Sequence, residues 1–323
     1  MNIYSLYISR SKPELDYFYR ILHTLQFTEL KNTTVQMVHI DFRSNDNIPN
    51  IRFQNTEMTA FVYTFEPGKR QRTTVTIYNL DTLIGLYVYR PGTNVFIYSG
   101  HSDGMYLAKK KVRLLRIEDF CELSRFVNNN KKADLMIFDC CCCANIGTLY
   151  VCYNFTKYLM ASTSYQSYLS VLETQSLYKS TTDIPKFVQG VIKELGSLEK
   201  IDHNAYDSNF CLYNLNETVL ELVQLTMKYK YQFNYSKSYT NDYSQYKDLE
   251  CAFKYIGINI KPLLDKIVVF SRYTKTNCRN RKVPKKKESS IPSSLTVILK
   301  RPIRTNVPTS ADIFLLKSSI PKK

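Results

Sequence analysis

The sequence predicts an α/β fold built on a mainly parallel sheet, and three features carry that reading. Apolar segments rich in β-branched and aromatic residues alternate with segments of helical period along most of the chain. Two apolar runs, 95–98 and 135–138, are uninterrupted, as central parallel strands covered on both faces must be. No internal repeat is present, so the body reads as one large domain, 1–271, and not as an array.

In chain order the pattern places strands at 3–8, 35–42, 59–64, 74–78, 94–98, 135–138, 158–161 and 210–213. Helices are expected at 13–25, 117–127, 144–157, 184–195 and 217–229. In the second of these, Phe120, Leu123 and Phe126 recur at three-residue spacing and are expected to lay one face on the sheet. The helix between 94–98 and 135–138 supplies the crossover that makes those two strands parallel neighbours.

The chain has 323 residues, 44% of them hydrophobic, with 44 basic and 28 acidic side chains for a net charge of +16. That composition excludes a disordered or collagen-like chain. No apolar run approaches the roughly 18 residues of a membrane span. The first dozen residues are too short and too polar for a signal peptide. A soluble intracellular protein, cytoplasmic or nuclear and without a membrane partner, is expected. Nine cysteines in a chain of this size read mostly as reduced thiols.

The charge is concentrated at one end. Residues 272–323 hold 14 Lys/Arg against Glu288 and Asp312, a net +12, which leaves the body close to balance. Five prolines among Ser and Lys make this stretch a poor core former, and an extended C-terminal extension is expected. Its densest part, residues 279–287 (RNRKVPKKK), suits an import receptor or nucleic acid, or is simply a solvated charge run. Aromatics and lysines also interleave between Tyr229 and Tyr246. That pattern fits either base stacking or a helix end running into a packed loop.

The two uninterrupted strands end in reactive residues. The first runs into Ser99-Gly100-His101-Ser102-Asp103-Gly104 and the second into Asp139-Cys140-Cys141-Cys142-Cys143. Ligands of open α/β sheets bind outside the carboxyl ends of the strands, so a His and a Cys at two such ends can face one cleft. A thiolate is the nucleophile of acyl transfer, and an imidazole beside it can take its proton and pass one to the leaving amine. His101 and Cys141 fit those roles. The bland alternatives are a histidine without a task and four small apolar fillers. Zinc is disfavoured, because consecutive strand residues point to opposite faces whereas zinc ligands come in spaced pairs.

Tyr98-Ser99-Gly100-His101 after one apolar strand and Asp134-Leu135-Met136-Ile137-Phe138-Asp139-Cys140-Cys141 after another resemble the clostripain family of caspase-like cysteine peptidases, and metacaspases share a similar Asp-x-Cys. The resemblance continues through Tyr158-Leu159-Met160-Ala161-Ser162 and loosens at Tyr246-Lys247-Asp248-Leu249 with Phe253, covering roughly 90–255. It implies a caspase-like three-layer sandwich and a cysteine endopeptidase. In that family the nucleophile is the second residue after the Asp, which selects Cys141. His101 becomes general base and acid, and the N–H groups of Ser102 and Cys141 become the oxyanion donors. Asp139 then lines the pocket for Arg or Lys before the scissile bond, making basic protein or peptide substrates the partners. The bland role for Asp139 is to cap the following helix or to accept loop N–H groups. The chemistry needs neither a metal nor an organic cofactor.

Three departures from the pattern stand out. Ser102 replaces the usual Gly after the His, where a positive φ would strain it. Cys142-Cys143 replaces a His-Ser, and Ala144 a Gly. These raise the alternative of a non-catalytic caspase-like module that binds protein or nucleic acid through its basic extension. A basic preference also makes Lys109-Lys110-Lys111 and Lys131-Lys132, between the two strands, candidate self-cleavage sites. Residues 1–90 carry no functional signature.

Overall fold

The eight residues of β1 (Asn2–Ser9) are all buried, and they alternate between two separate cores. Ile3 and Tyr7 face one, whereas Tyr4, Leu6 and Ile8 face the other. The computed structural model in which this is seen describes residues 1–41, 57–102, 104, 106–109, 113–163, 169–201, 209–230, 232–235, 246–271 and 296–298. The strands that follow are β2 (Thr34–Asp41), β3 (Met58–Glu66), β4 (Lys69–Ile77), β5 (Asn94–Ser99), β6 (Tyr106–Lys109) and β7 (Arg113–Arg116). They continue with β8 (Ala133–Asp139), β9 (Thr156–Ser162), β10 (Phe210–Asn214), β11 (Tyr246–Asp248), β12 (Val268–Ser271) and β13 (Thr296–Ile298). The helices are α1 (Lys12–Phe27), α2 (Leu80–Ile84), α3 (Ile117–Val127), α4 (Ile146–Cys152), α5 (Ile184–Ile201), α6 (Thr218–Tyr229), α7 (Leu249–Tyr255) and α8 (Lys261–Ile267).

Nine strands form one sheet in the order β12-β10-β9-β8-β5-β1-β2-β3-β4. The run from β9 to β2 is parallel throughout, and antiparallel pairs close both flanks. Helices α1 and α5 cover one face and α2, α3, α4, α6, α7 and α8 the other, giving the three-layer α/β architecture. Leu135, Met136, Ile137 and Phe138 of β8 are wholly buried. At about 1.5–3 kcal/mol for each such side chain, this strand is a main source of core stability. Among the described residues no helix is long and apolar enough to cross a membrane.

The structure moves several element bounds. Strand β4 begins at Lys69, well before the expected 74, because the tight turn at Pro67-Gly68 lets it pair with β3 from Glu66 opposite Lys69 onward; its exposed, charged first half, Lys69-Arg70-Gln71-Arg72, carries no apolar pattern to mark it. Helix α4 is much shorter than 144–157. Asn145 caps it at one end, and the turn after Cys152 feeds β9 at Thr156. In α3, Phe120 and Leu123 are buried but Phe126 is half exposed. A strict three-residue step falls 60° short of a turn each time, so the buried face follows Phe120, Leu123, Ser124 and Val127 instead. Of the extension 272–323, only Thr296–Ile298 are described. They form β13, paired antiparallel with β11. The basic run 279–287 and most of the aromatic stretch after Tyr229 lie outside the described residues.

Candidate active site

The parallel register of β5 and β8 runs from Val95 opposite Leu135 to Ser99 opposite Asp139. One further bond, from the Gly100 N–H to the Asp139 carbonyl at 3.4 Å, carries the pairing past the strand ends. His101 and Cys141 therefore stand two residues beyond the same pair, on strands that run about 4.8 Å apart. Alternation sets the side. Val95 and Ile97, like Leu135 and Ile137, point into the core beneath α1 and α5, and Ser99 and Asp139 continue that series. Cys140 falls on the other series with Phe138.

Gly100 makes the turn toward His101. Its φ is +148°, and a Cβ there would meet the Ile8 carbonyl oxygen at 2.9 Å and the Tyr98 hydroxyl at 3.0 Å. The buried Tyr98 hydroxyl donates to the His101 carbonyl at 3.0 Å, fixing the backbone of that residue while its side chain stays 57% exposed. The expected strain at Ser102 is not observed. The described non-glycine residues with positive φ are Asn129, Asn130 and Cys142, and the left-handed turns flanking Ser102 fall on Gly100 and Gly104. Ser102 instead forms an isolated bridge with Leu107. Its hydroxyl accepts from the Gly104 N–H at 2.9 Å and lies 3.2 Å from the Cys143 sulfur.

The four cysteines divide sharply. Cys140, Cys142 and Cys143 are buried, while Cys141 is partly exposed. The turn through Cys142, at φ +59°, brings the Cys140 and Cys143 sulfurs to 3.2 Å. Burial, and then the hydrogen bond with Cys143, push the Cys140 thiol well above its ordinary pKa. It is therefore a neutral packing group at physiological pH. Among the described residues no group of three or more His, Cys, Asp and Glu is arranged to hold a metal ion.

Asn145, which the sequence reading passed over, ties together the loops that follow β5 and β8. Its side-chain N–H donates to the Gly104 carbonyl at 2.8 Å and the Cys142 carbonyl at 3.2 Å, while its oxygen caps α4 by accepting from the Thr148 N–H at 3.0 Å. The helix cap is thus Asn145 and not Asp139. Asp139 is 5% exposed and accepts from the Ser99 hydroxyl at 2.7 Å and from the Ser170 hydroxyl. Nearby, burial raises the pKa of Glu173, which accepts from the Ser170 N–H and pairs with Arg20. Glu14 of α1, from the stretch without a functional signature, places a carboxylate oxygen 3.7 Å from the His101 Nδ1. The other histidines serve elsewhere: His39 is buried on Phe18, His23 packs on Phe27, and His203 lies outside the described residues.

No family model matches the sequence, and no curated protein matches it. Known structures do. A secreted C11 cysteine protease from Bacteroides thetaiotaomicron, in complex with an irreversible peptide inhibitor, superposes with a TM-score of 0.64 at 11% identity, covering 94% of each chain. The chain has the fold of C11 cysteine proteases. A second structure of a secreted C11 protease from that bacterium, called iotapain, gives a TM-score of 0.63 at 14% identity over 92% of this chain and 93% of the other. An inactive zymogen C11 protease from Parabacteroides distasonis gives 0.58 at 12% identity over 93% and 92%. The C11 likeness thus extends well beyond the 90–255 stretch of the sequence resemblance, into the N-terminal strands and α1. It is a likeness of clostripain-type, caspase-like architecture, as the strand-end motifs implied.

Proposed function

We propose that the protein is a cysteine endopeptidase that cleaves after Arg or Lys. The observation that carries this reading is the shared register, which sets His101 and Cys141 at equal steps past Ser99 and Asp139 on neighbouring parallel strands of a C11 fold. In the proposed reaction His101 takes the Cys141 thiol proton and the thiolate attacks the scissile carbonyl carbon. The oxygen that gains charge is met by the N–H groups of Ser102 and Cys141. Collapse of the tetrahedral intermediate expels the amine, which receives the proton from the imidazolium. His101 then deprotonates a water that hydrolyses the thioester and regenerates the thiol.

Asp139 supports the basic preference. It lies at the end of the strand that bears the nucleophile, on the Ser99 side, oriented by two neutral hydroxyl donors. A guanidinium reaching a desolvated carboxylate gains charge-assisted, bidentate hydrogen bonds. The same preference makes self-cleavage at Lys131-Lys132 an expected side reaction, since both residues are exposed in the turn after α3. Lys109-Lys110-Lys111 is the other such sequence, and Lys110 and Lys111 lie outside the described residues. We further propose that the basic run 279–287 serves localisation, through an import receptor or a polyanion such as nucleic acid. The test of the central reading is cleavage profiling on a peptide library, wild type beside Cys141→Ala. Cuts after Arg and Lys that vanish in the variant are expected. A folded wild type with no cuts would favour a non-catalytic binding module.

A further inference from the structure

Three neighbouring strands, β1, β5 and β8, end at the same edge of the sheet, and each end leads into a group with acid–base chemistry. Strand β8 leads to Cys141 and β5 to His101. Strand β1 leads through Arg10 and Ser11 into the first turn of α1, where Glu14 stands. The register that pairs Ser99 with Asp139 also pairs Tyr7 with Ser99, so β5 and β8 end level and β1 runs two residues further, to Ser9, before it turns into α1. The lateral order of the three groups is then carboxylate, imidazole, thiol.

Glu14 is held in several ways. Its backbone N–H meets the Ser11 hydroxyl, and its carbonyl accepts from the Tyr7 hydroxyl at 2.7 Å. One carboxylate oxygen accepts from the Arg10 N–H at 2.5 Å; the other accepts from the Arg10 guanidinium at 3.3 Å and lies 3.7 Å from the His101 Nδ1. The Glu14 side chain is only 17% exposed, and the Arg10 N–H and guanidinium orient its carboxylate. Separations of this size commonly tighten once substrate closes a site.

We propose that Glu14 is a positioning residue for His101. A carboxylate at Nδ1 keeps the ring proton on that nitrogen, so Nε2 carries the lone pair that takes the Cys141 proton. It also stabilises the imidazolium that forms when the proton moves. This is the general logic of a nucleophile, a base and a third group that orients the base. Arg10 is the cation that faces the same carboxylate, and it limits the negative charge offered to the imidazole. The inference rests on the His101–Cys141 reading and adds to it a role for the N-terminal part of the chain.

The test compares Glu14→Gln, Glu14→Asp and His101→Ala in the full-length protein on one basic peptide substrate. For Glu14→Gln we expect kcat to fall about tenfold with KM within about twofold, a modest loss because the imidazole is more than half exposed. Glu14→Asp should recover most of that loss. Imidazole nitrogen NMR of the inactive Cys141→Ala protein, which needs no turnover, should show His101 protonated on Nδ1 in the neutral ring. Wild-type kcat in Glu14→Gln, or a neutral His101 protonated mainly on Nε2, would overturn the role of Glu14. Full activity in His101→Ala would instead overturn the dyad itself, so the two failures are distinguishable.

Discussion

Cys140 and Cys143 sit in the core with their sulfurs 3.2 Å apart, whereas Cys141, between them in sequence, keeps partial contact with solvent. The division follows from backbone geometry. Strand alternation turns residue 140 toward the α3–α4 side and sets up the opposite side for 141, and the left-handed turn at Cys142 returns 143 to the first side. One run of four identical residues thus supplies a candidate nucleophile and the packing beneath it. The same chemistry does different work according to which way the chain faces.

The sharpest way to break this comparison is to remove the thiols one at a time. Cys141→Ala and His101→Ala should each lower kcat/KM by at least about a thousandfold without changing the melting temperature appreciably. Asp139→Asn should come next. It should lose about tenfold or more in kcat/KM on Arg and Lys substrates while leaving the rate of Cys141 alkylation intact. A profile unchanged by that variant would detach the specificity pocket from Asp139. Gly100→Ala probes the turn that delivers His101. With the new Cβ 2.9 Å from the Ile8 carbonyl, a loss of about 1–3 kcal/mol in denaturant unfolding is expected, together with reduced activity. The smallest effects belong to the buried pair. Cys140→Ala and Cys143→Ala should cost about 1–2 kcal/mol each through the space left behind, lowering the melting temperature by several degrees while activity is largely kept. Abolished activity in a folded Cys140→Ala, with Cys141→Ala active, would reverse the division between the two kinds of cysteine.

Much of this site was legible from local pattern. The uninterrupted apolar runs of β5 and β8, followed at once by polar residues, located the two strand ends, and period-two alternation separated Asp139 from Cys140. What sequence reading missed is non-local. Glu14 reaches His101 only because β1 is a register-matched neighbour of β5, a pairing between residues about 90 apart. Asn145 looks like an ordinary helix cap, and its bonds to Gly104 and Cys142 emerge only once the two loops meet. The overlong expectation for α4 has a local cause. Its apolar residues continue into β9 without a Gly or Pro, so nothing in the pattern marked the change from helix to strand.

The most direct measurement is covalent labelling of the folded, full-length protein by an acyloxymethyl ketone peptide with Lys or Arg at its reactive end, followed by peptide mapping. A single adduct on Cys141 is expected, absent in Cys141→Ala, sharply slowed in His101→Ala and retained in Cys140→Ala and Cys143→Ala. Absence of labelling in the folded wild type at neutral pH, or an adduct that persists in Cys141→Ala, would contradict the role of Cys141 as nucleophile.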